Sequence, residues 1–318
     1  MKKSTMILLI IAAALMVAGL ILCAVGFMLF TENGRISFGA RNTVTKEYEI
    51  AEAFSSVDAV LNTTQVELLP ATDGVTRVVC REDVREPHEV FVEDGVLKLR
   101  AESKKWYEKI SLFSWGEHKL TVYLAEPALE QLTLTTDTGK IFVSREISAK
   151  NATVTFSTAR IDLEASVSES LCVRGSTGDV TISGAQYGKL DVKTSTGDIT
   201  VRGGTAGEIL LQVSTGEIEV EQVSCQNLGV TSSTGEQDYE RVTVVGTMTL
   251  KSSTGDISIE ECLAGSAKIT TDTGDVEGRF LSDMIFFATT DTGKVRVPKL
   301  TAGGICEIQT DTGNIYFQ

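Results

Sequence analysis

The triplet Asp-Thr-Gly, which carries the catalytic carboxylate of aspartic proteases, begins at four places in this chain: Asp137, Asp272, Asp291 and Asp311. Those enzymes need two such aspartates that share one proton in a cleft between two lobes. Here the same phrase occurs in six further copies, one of them degenerate, with serine in place of aspartate. Because a catalytic carboxylate is not interchangeable with serine, the triplet predicts a structural turn and not a protease.

An acidic residue follows the glycine in six consecutive copies: Asp179, Asp198, Glu217, Glu236, Asp256 and Asp275. Stacked like charges are unfavourable, and two interpretations remain open. The acidic column is either a solvated edge that discourages sheet aggregation, or part of a Ca²⁺ site between repeats, since Ca²⁺ takes several oxygen ligands. The second interpretation predicts calcium ligands at Asp256, Asp272, Asp275 and Asp291, although the glycine-rich nonapeptide of calcium-binding β-rolls is absent.

Histidine and cysteine offer little for other chemistry. The chain has two histidines, His88 and His118, both outside the repeats, and we expect both to be exposed. Five cysteines share no repeat column, and their odd number predicts buried thiols rather than a full set of disulfides. They are Cys80, Cys172, Cys225, Cys262 and Cys306. Gly-rich phosphate loops are absent as well, so the sequence predicts no catalytic residue, no cofactor, and no metal site other than the calcium hypothesis.

The turn phrase recurs at steps of 19 or 20 residues through the second half of the chain. Its glycines are Gly139, Gly178, Gly197, Gly216, Gly235, Gly255, Gly274, Gly293 and Gly313, and the degenerate copy Ser157-Thr158-Ala159-Arg160 fills the one gap. A fixed period of this length predicts a solenoid of stacked units.

Apolar residues occupy fixed columns on both sides of the glycine and alternate with polar ones. Two residues after the glycine stand, for example, Val180, Ile199 and Ile218. Alternation of this kind is typical of half-buried strands, and equivalent residues align in columns when rungs stack in parallel, about 4.8 Å apart. We therefore predict an all-β, single-domain, right-handed parallel β-helix with one continuous core. Gln237 and Tyr239 interrupt the apolar columns.

Each copy supplies the chemistry of its own corner. Glycine takes a positive φ without cost, the threonine before it suits a ladder of hydroxyl hydrogen bonds, and Asp or Ser before that can bond to the turn backbone. The predicted structural turn residues are Thr177, Gly178, Thr196, Gly197, Thr215, Gly216, Thr254, Gly255, Thr273 and Gly274.

An uncharged segment covers residues 5–30. About 20 apolar residues suffice to cross a bilayer as a helix, and a cleaved secretory signal has a shorter apolar stretch. We therefore predict a transmembrane helix at 5–30, after a cytoplasmic N-terminus at 1–4 and before a connector at 31–45. Since Lys2 and Lys3 precede the helix, the positive-inside rule places the solenoid outside the cell membrane, on a single-pass anchor.

Residues 46–128 are less regular and predict first rungs or a cap. Thr64 takes the glycine position in a worn copy of the repeat, 75 residues before Gly139 and so close to four periods away. A short aromatic segment follows, with Trp106, Tyr107, Phe113 and Trp115. Such side chains are typical interface anchors, which predicts a partner contact; the alternative is that they pack on the solenoid.

Regular repeats cover 129–318, and the last residues read as a strand that ends near Phe317. This predicts an open C-terminal edge, which could pair with a partner. The net charge of −14 argues against a nucleic-acid partner, because that needs a cationic surface.

Three segments carry a resemblance to a known family: Lys105-Trp106-Tyr107, Thr121-Val122-Tyr123-Leu124-Ala125-Glu126, and motifs such as Thr194-Ser195-Thr196-Gly197-Asp198-Ile199. With its N-terminal anchor, the layout resembles the bacterial β-strand-repeat "putative adhesin" family, formally a domain of unknown function, and is similar to Lia-type envelope-stress proteins. The resemblance covers about residues 46–318 and implies the solenoid fold. It offers no catalytic residues to transfer.

These observations predict a non-enzymatic, membrane-anchored, extracytoplasmic solenoid that acts as an adhesin-like or cell-envelope sensing module, with an envelope protein or a glycan as partner. One alternative is a carbohydrate-active β-helix enzyme, which would need clustered carboxylates and a cleft. The repeats contain few insertions that could form the walls of such a cleft. The other is a regulatory partner of a membrane sensor kinase.

Overall fold

The computed structural model describes residues 43–83, 87–101 and 118–318, together with Gly19. Within the compact unit Thr43–Gln318, these residues form 24 strands that are joined in one continuous sheet. The predicted all-β solenoid is therefore confirmed for the described part of the chain.

Two predicted features fall on other residues. The transmembrane segment 5–30, apart from Gly19, and the aromatic residues Trp106, Tyr107, Phe113 and Trp115 lie outside the described residues. Within the described part of the chain, no helix has the length and apolar character needed to span a membrane.

The central rungs stack in parallel at the period of the sequence. Their strands are β8 (Ala128–Val143), β9 (Ser148–Leu163), β10 (Ser166–Thr177), β11 (Val180–Ser183), β12 (Gln186–Thr196), β13 (Ile199–Arg202), β14 (Thr205–Thr215), β15 (Ile218–Glu221), β16 (Ser224–Thr234), β17 (Gln237–Glu240), β18 (Thr243–Thr254), β19 (Ile257–Thr273) and β20 (Val276–Phe280). The register joins residues 19 apart, as in Val192↔Leu211 and Ile199↔Ile218. Each rung thus adds one longer segment before the corner glycine, to a surface that we call the long wall, and one shorter segment after it, to the short wall.

The apolar columns of both walls form the core. Val180, Ile199 and Ile218 on the short wall, and Val192 and Leu211 on the long wall, are at most 2% exposed. Burial of each such side chain contributes about 1.5–3 kcal/mol. Because each rung is too thin to bury these residues alone, the core exists only through stacking.

The corner glycines are required for two separate reasons. Gly197 has φ 122°, a region that other residues rarely adopt, and a Cβ there would lie 2.4 Å from the carbonyl oxygen of Gly178 in the neighbouring rung. The backbone angle and the close approach of the neighbouring rung therefore both require glycine at this corner. The threonines before the glycines are exposed and pair in register, as Thr196 does with Thr215.

Buried hydroxyls occupy a different column from the one predicted, three residues before the glycine. This column includes Thr136, Thr194, Ser232, Ser252, Thr271 and Thr310. Thr194 donates to the carbonyl of Thr196 at 3.3 Å, and Thr310 donates to the carbonyl of Gly274 at 3.3 Å. The hydroxyls of Thr194 and Thr310 therefore bond to corner carbonyls, one within its rung and the other in the neighbouring rung.

The C-terminal rungs do not stack in chain order. Their strands are β21 (Met284–Thr292), β22 (Val295–Arg296), β23 (Gly304–Thr312) and β24 (Ile315–Phe317). β23 lies between β19 and β21, and β24 lies between β20 and β22. The prediction of an open edge at Phe317 is therefore wrong, because the last strand is paired on both sides; the outermost rung is β21–β22.

The N-terminal end shows the same kind of exchange. Its strands are β1 (Thr43–Glu49), β2 (Ser56–Thr63), β3 (Gln65–Pro70), β4 (Arg77–Asp83), β5 (His88–Glu93), β6 (Val96–Ala101) and β7 (Lys119–Leu124). β2 lies between β6 and β8, and β3 lies between β7 and β8. The rung of Thr64 is thus the direct neighbour of that of Gly139, although the spacing of 75 residues suggests four periods.

Antiparallel strands close this N-terminal end. β4 pairs with β7 and β1 on the short wall, and β5 pairs with β6 on the long wall. A change from parallel to antiparallel pairing ends the register of the repeat. No further rung of the repeat type is therefore added on this side within the described residues.

Candidate interaction surface

The outermost C-terminal rung has unpaired strand edges. Among the described strands, β21 pairs with β23 alone and β22 pairs with β24 alone. Ile315 donates its backbone N–H to the carbonyl of Lys294 at 2.8 Å, on the paired side of β22. Since adjacent residues of a strand point their N–H and C=O groups to opposite sides, those of Val295 face outward. An open edge of this kind is a template for an added strand.

Apolar side chains surround this edge. Those most exposed to solvent are Leu281 (57%), Phe287 (60%), Val295 (43%), Leu300 (41%) and Ile305 (49%). Phe286 and Val297 pack against the core but are only half-buried, where the corresponding columns of the central rungs are fully buried. The core is therefore incompletely covered at this end. We call β21, β22 and the loop 297–303 the open end.

Aromatic packing supports the open end from inside. Phe317 stacks on Phe280 with ring centroids 5.7 Å apart and contacts Phe286 at 5.1 Å. On the outer side, the guanidinium of Arg296 lies 5.4 Å from the centre of the Tyr316 ring. The end is thus an ordered surface, held in place by the inserted last strand.

The charge of the open end differs from that of the whole protein. Between residues 281 and 303 three basic residues, Lys294, Arg296 and Lys299, stand against two acidic ones, Asp283 and Asp291, while the complete chain carries −14. The short wall at mid-stack is acidic by contrast. There, partial burial and the nearby carboxylates of Glu236, Glu217, Glu219 and Glu260 raise the pKa of Asp238.

The acidic column after the corner glycine has a structural use. Asp198 accepts a hydrogen bond from the backbone N–H of Glu217 at 2.8 Å, and Asp256 accepts one from Asp275 at 2.7 Å. Asn314 continues the ladder, since its N–H donates to Asp275 at 2.6 Å. A backbone N–H thus accompanies each of these stacked carboxylates, which offsets part of the repulsion between neighbouring rungs.

The calcium candidates are distributed according to the exchanged rung order. Asp256 and Asp275 lie in neighbouring rungs. Asp272 and Asp291 do not, because the register Thr271↔Thr310 and Thr290↔Thr310 places the rung of Asp311 between them. The calcium hypothesis stays a prediction.

Gln237 and Tyr239, which interrupt the apolar columns, form a buried hydrogen-bonded group. The hydroxyl of Tyr239 donates to the side-chain carbonyl of Gln237 at 2.8 Å. The Gln237 amide donates to Ser232 at 2.8 Å and to the carbonyl of Lys251 at 2.7 Å. Because its polar atoms have partners inside the core, this group has a structural explanation and no ligand is needed.

The prediction for the histidines was wrong. His88 is 6% exposed and His118 is 8% exposed, and both lie at the N-terminal end. His88 contacts the carboxylate of Glu82 through its ring Nδ1 at 2.8 Å and its backbone N–H at 2.7 Å. One feature of the sequence could have indicated that polar side chains gather here. Cys80 and Glu82 are two residues apart in a strand, so both side chains lie on one face.

Buried thiols were predicted correctly for Cys80, Cys225, Cys262 and Cys306, while Cys172 is partly exposed; all five are free. Burial raises the pKa of Cys306 to about 12 and that of Cys225 to about 11. The thiols of Cys306 and Cys225 are therefore protonated at neutral pH.

The sequence profile of a known family spans most of this solenoid. The Toastrack DUF4097 family matches residues 60–315. The chain belongs to this family. The resemblance to a β-strand-repeat domain of unknown function is thereby confirmed. No curated protein matches the chain significantly.

Solved structures resemble this chain at low sequence identity. A "putative adhesin" from Parabacteroides distasonis ATCC 8503 is 11% identical, with a TM-score of 0.50 over 87% of this chain and 98% of that chain. A "putative adhesin" from Bacteroides fragilis NCTC 9343 is 16% identical, with a TM-score of 0.40 over 88% and 98%. A "putative lipid binding protein" from Parabacteroides distasonis ATCC 8503 is 13% identical, with a TM-score of 0.42 over 87% and 98%. At 11% identity, the likeness to the Parabacteroides distasonis adhesin concerns the fold alone.

Proposed function

We propose that this Toastrack protein is a non-enzymatic binding module, anchored in the cell membrane by residues 5–30, that presents its solenoid outside the cell and binds an envelope partner through the open end. The open end supports this proposal because unpaired strand edges and exposed apolar side chains coincide there. Both features favour association. The adhesin-like names of the structural relatives agree with a binding role.

The partner that fits this surface is an extended polypeptide segment with alternating apolar residues and acidic side chains. Such a segment adds a strand to an exposed sheet edge, and its side chains give specificity. Phe287 on β21 and Val295 on β22 offer apolar contacts to a segment that follows the edges of both walls. Lys294, Arg296 and Lys299 give the open end a positive balance that suits acidic residues, since complementary charges steer association.

Site-specific photocrosslinking in membranes of the native host tests the proposal. A photoreactive amino acid replaces Phe287 in the full-length protein, and a second variant carries it at Val245. Val245 is 67% exposed in β18, in the middle of the stack, and so serves as a matched control. We expect an adduct from position 287, mapped by mass spectrometry to an extended acidic segment of an envelope protein, and none from position 245.

Other outcomes identify other occupants. An adduct between two copies of this chain would contradict a foreign partner and indicate self-association. An adduct to a membrane sensor kinase would make the protein a regulatory partner of that kinase. Absence of adducts at position 287, or equal adducts at both positions, would contradict binding through the open end.

Catalysis and membrane anchoring need separate tests. Turnover of cell-wall or capsular polysaccharide by the purified protein would contradict the non-enzymatic assignment. Protease added to intact cells should cleave the solenoid, and deletion of 5–30 should release the protein from the membrane fraction. Protection from protease in intact cells would contradict the extracytoplasmic position.

A further inference from the structure

Three potential metal ligands converge inside the N-terminal end. Cys80, Glu82 and His88 each offer a ligand atom, and these atoms lie within 4.8 Å of one another. The residues Cys80 and Glu82 are fully buried and His88 is 6% exposed. Among the described residues, this is the one group of three or more His, Cys, Asp or Glu side chains with such proximity.

The three residues come from both walls of the solenoid. Cys80 and Glu82 lie on β4, which pairs with β7 and β1 on the short wall, while His88 begins β5, which pairs with β6 on the long wall. The cluster therefore lies where the two walls approach each other at the N-terminal end, which we call the closed end because antiparallel strands cover it. A ligand bound there would join strands that belong to different ladders.

His118 belongs to the same neighbourhood. The antiparallel pairs Cys80↔Leu120 and Arg81↔Lys119 place the next residues, Glu82 and His118, opposite each other. Residues that face each other in an antiparallel pair project from the same side of the sheet, and both are buried. His118 thus lies on the same side of the sheet as Glu82, the one fully buried carboxylate among the described residues.

Glu82 itself is incompletely satisfied without an ion. Its Oε2 accepts the ring and backbone N–H groups of His88, but its Oε1 receives no well-directed hydrogen bond and lies 2.7 Å from the ammonium of Lys46. The side chain of Lys46 is 43% exposed, so it can turn into solvent. A buried carboxylate oxygen that lacks a fixed donor is a position suited to a cation.

We propose that Cys80, Glu82 and His88 form a zinc-binding site that ties the two walls together at the closed end. Thiolate, imidazole and carboxylate are the ligands that Zn²⁺ prefers, usually four in a structural site, whereas Ca²⁺ and Mg²⁺ prefer oxygen alone. Zn²⁺ displaces the thiol proton of Cys80 to solvent. The resulting thiolate and the Glu82 carboxylate together balance both charges of the ion, so Lys46 is no longer needed as a counterion.

Metal content and cobalt spectroscopy on the full-length protein in detergent test the site. We expect about one zinc per chain after dialysis against Zn²⁺. Replacement by Co²⁺ should produce the near-ultraviolet absorption of a thiolate bound to cobalt. Cys80→Ser should remove that band and weaken Zn²⁺ binding by more than the roughly 10–100-fold that loss of an outer-shell partner costs.

Two further variants separate a metal site from a buried ion pair. Cys262→Ser is the matched control, since Cys262 is another fully buried thiol, and it should keep the cobalt band. Lys46→Met removes the competing cation and should tighten Zn²⁺ binding. If the cluster is only an ion pair, Lys46→Met lowers the melting temperature and neither variant binds metal.

Chelation of the wild-type protein decides the question if Cys80→Ser does not fold. We expect chelator to lower the melting temperature and added Zn²⁺ to restore it, because a ligand that binds only the folded state stabilises it. An unchanged melting temperature together with no cobalt band would overturn the proposal. So would a cobalt band that Cys262→Ser removes and Cys80→Ser retains. Neither result bears on the open end, which lies at the other end of the stack.

Discussion

The two ends of the solenoid solve the same problem in opposite ways. Each end must stop a stack of parallel rungs whose last member presents unpaired backbone groups and half of a core. At the N-terminal end, β4 and β5 add antiparallel strands, and Leu97, Leu120 and Val122 are fully buried. At the open end, β21 and β22 have neighbours on one side among the described strands, and Phe287 is 60% exposed.

This difference between the ends indicates which part of a repeat fold contributes to stability and which part is available for binding. A closed end covers its core and contributes to the free energy of unfolding, whereas an open end leaves part of that free energy to be gained on association. The charged side chains of the two ends differ in burial in the same way. The closed end buries Glu82 with His88 and pairs it with the partly exposed Lys46, whereas the open end keeps its charged residues in solvent.

The largest effect is expected at the buried carboxylate of the closed end. Glu82→Ala leaves His88 and Lys46 without their partner, and removal of one member of a buried charged group costs about 3–5 kcal/mol. Asp291→Ala is the control, because Asp291 is an exposed carboxylate of the open end, and should cost less than about 0.5 kcal/mol. Denaturant unfolding with chelator present measures both without a contribution from metal. Equal losses in the free energy of unfolding for the two variants would contradict the difference between the two ends.

A smaller effect is expected from the aromatic group behind the open end. Phe317→Ala removes a ring that is 3% exposed and packs on Phe280 and Phe286. We expect a loss of about 3 kcal/mol, at the lower limit for a core phenylalanine, because the site can relax toward the uncovered end. Phe287→Ala should change the stability by less than about 0.5 kcal/mol. Thermal unfolding checks both; a small loss for Phe317→Ala would mean that the inserted strand is not anchored by its side chain.

The smallest effect concerns the acidic short wall between the ends. Since the pKa of Asp238 is raised in the folded state, its ionised form opposes folding at neutral pH. Asp238→Asn should therefore stabilise the protein at pH 7, by less than about 1 kcal/mol because the group is solvent-exposed. The gain should vanish as the pH falls below about 4, where the carboxyl is protonated in both states. A gain that persists at low pH would indicate a packing effect instead.

The sequence predicts the centre of this molecule well and its ends poorly. Columns such as Val180, Ile199 and Ile218 repeat at a fixed period, so the register of the central rungs follows from local spacing. The exchanged order of the last rungs does not, because the repeats around Gly293 and Gly313 have similar columns and either could stack on β19. Only long-range pairing, which leaves no periodic mark in the sequence, distinguishes the two arrangements.

The site residues divide in the same way. Gly197 and its equivalents are recognisable because one backbone requirement recurs in every rung. Cys80, Glu82 and His88 have no equivalents in other rungs. Their proximity depends on how β4 and β5 fold across the end of the stack. The exposed apolar residues of the open end also escape prediction, since Phe287 and Val295 occupy ordinary repeat positions and differ from others only in having no rung beyond them.

The insertion of β23 and β24 between earlier rungs has a consequence for biogenesis. During synthesis β21 emerges before β23, and its columns match the exposed edge of β19, so a stack in chain order can form first. Where that early pairing forms, it must open to admit β23 and β24, a rearrangement of the type that slows folding and exposes strand edges on the way. The rungs therefore do not stack in the order of translation, because β23 and β24 must lie between β19–β20 and β21–β22.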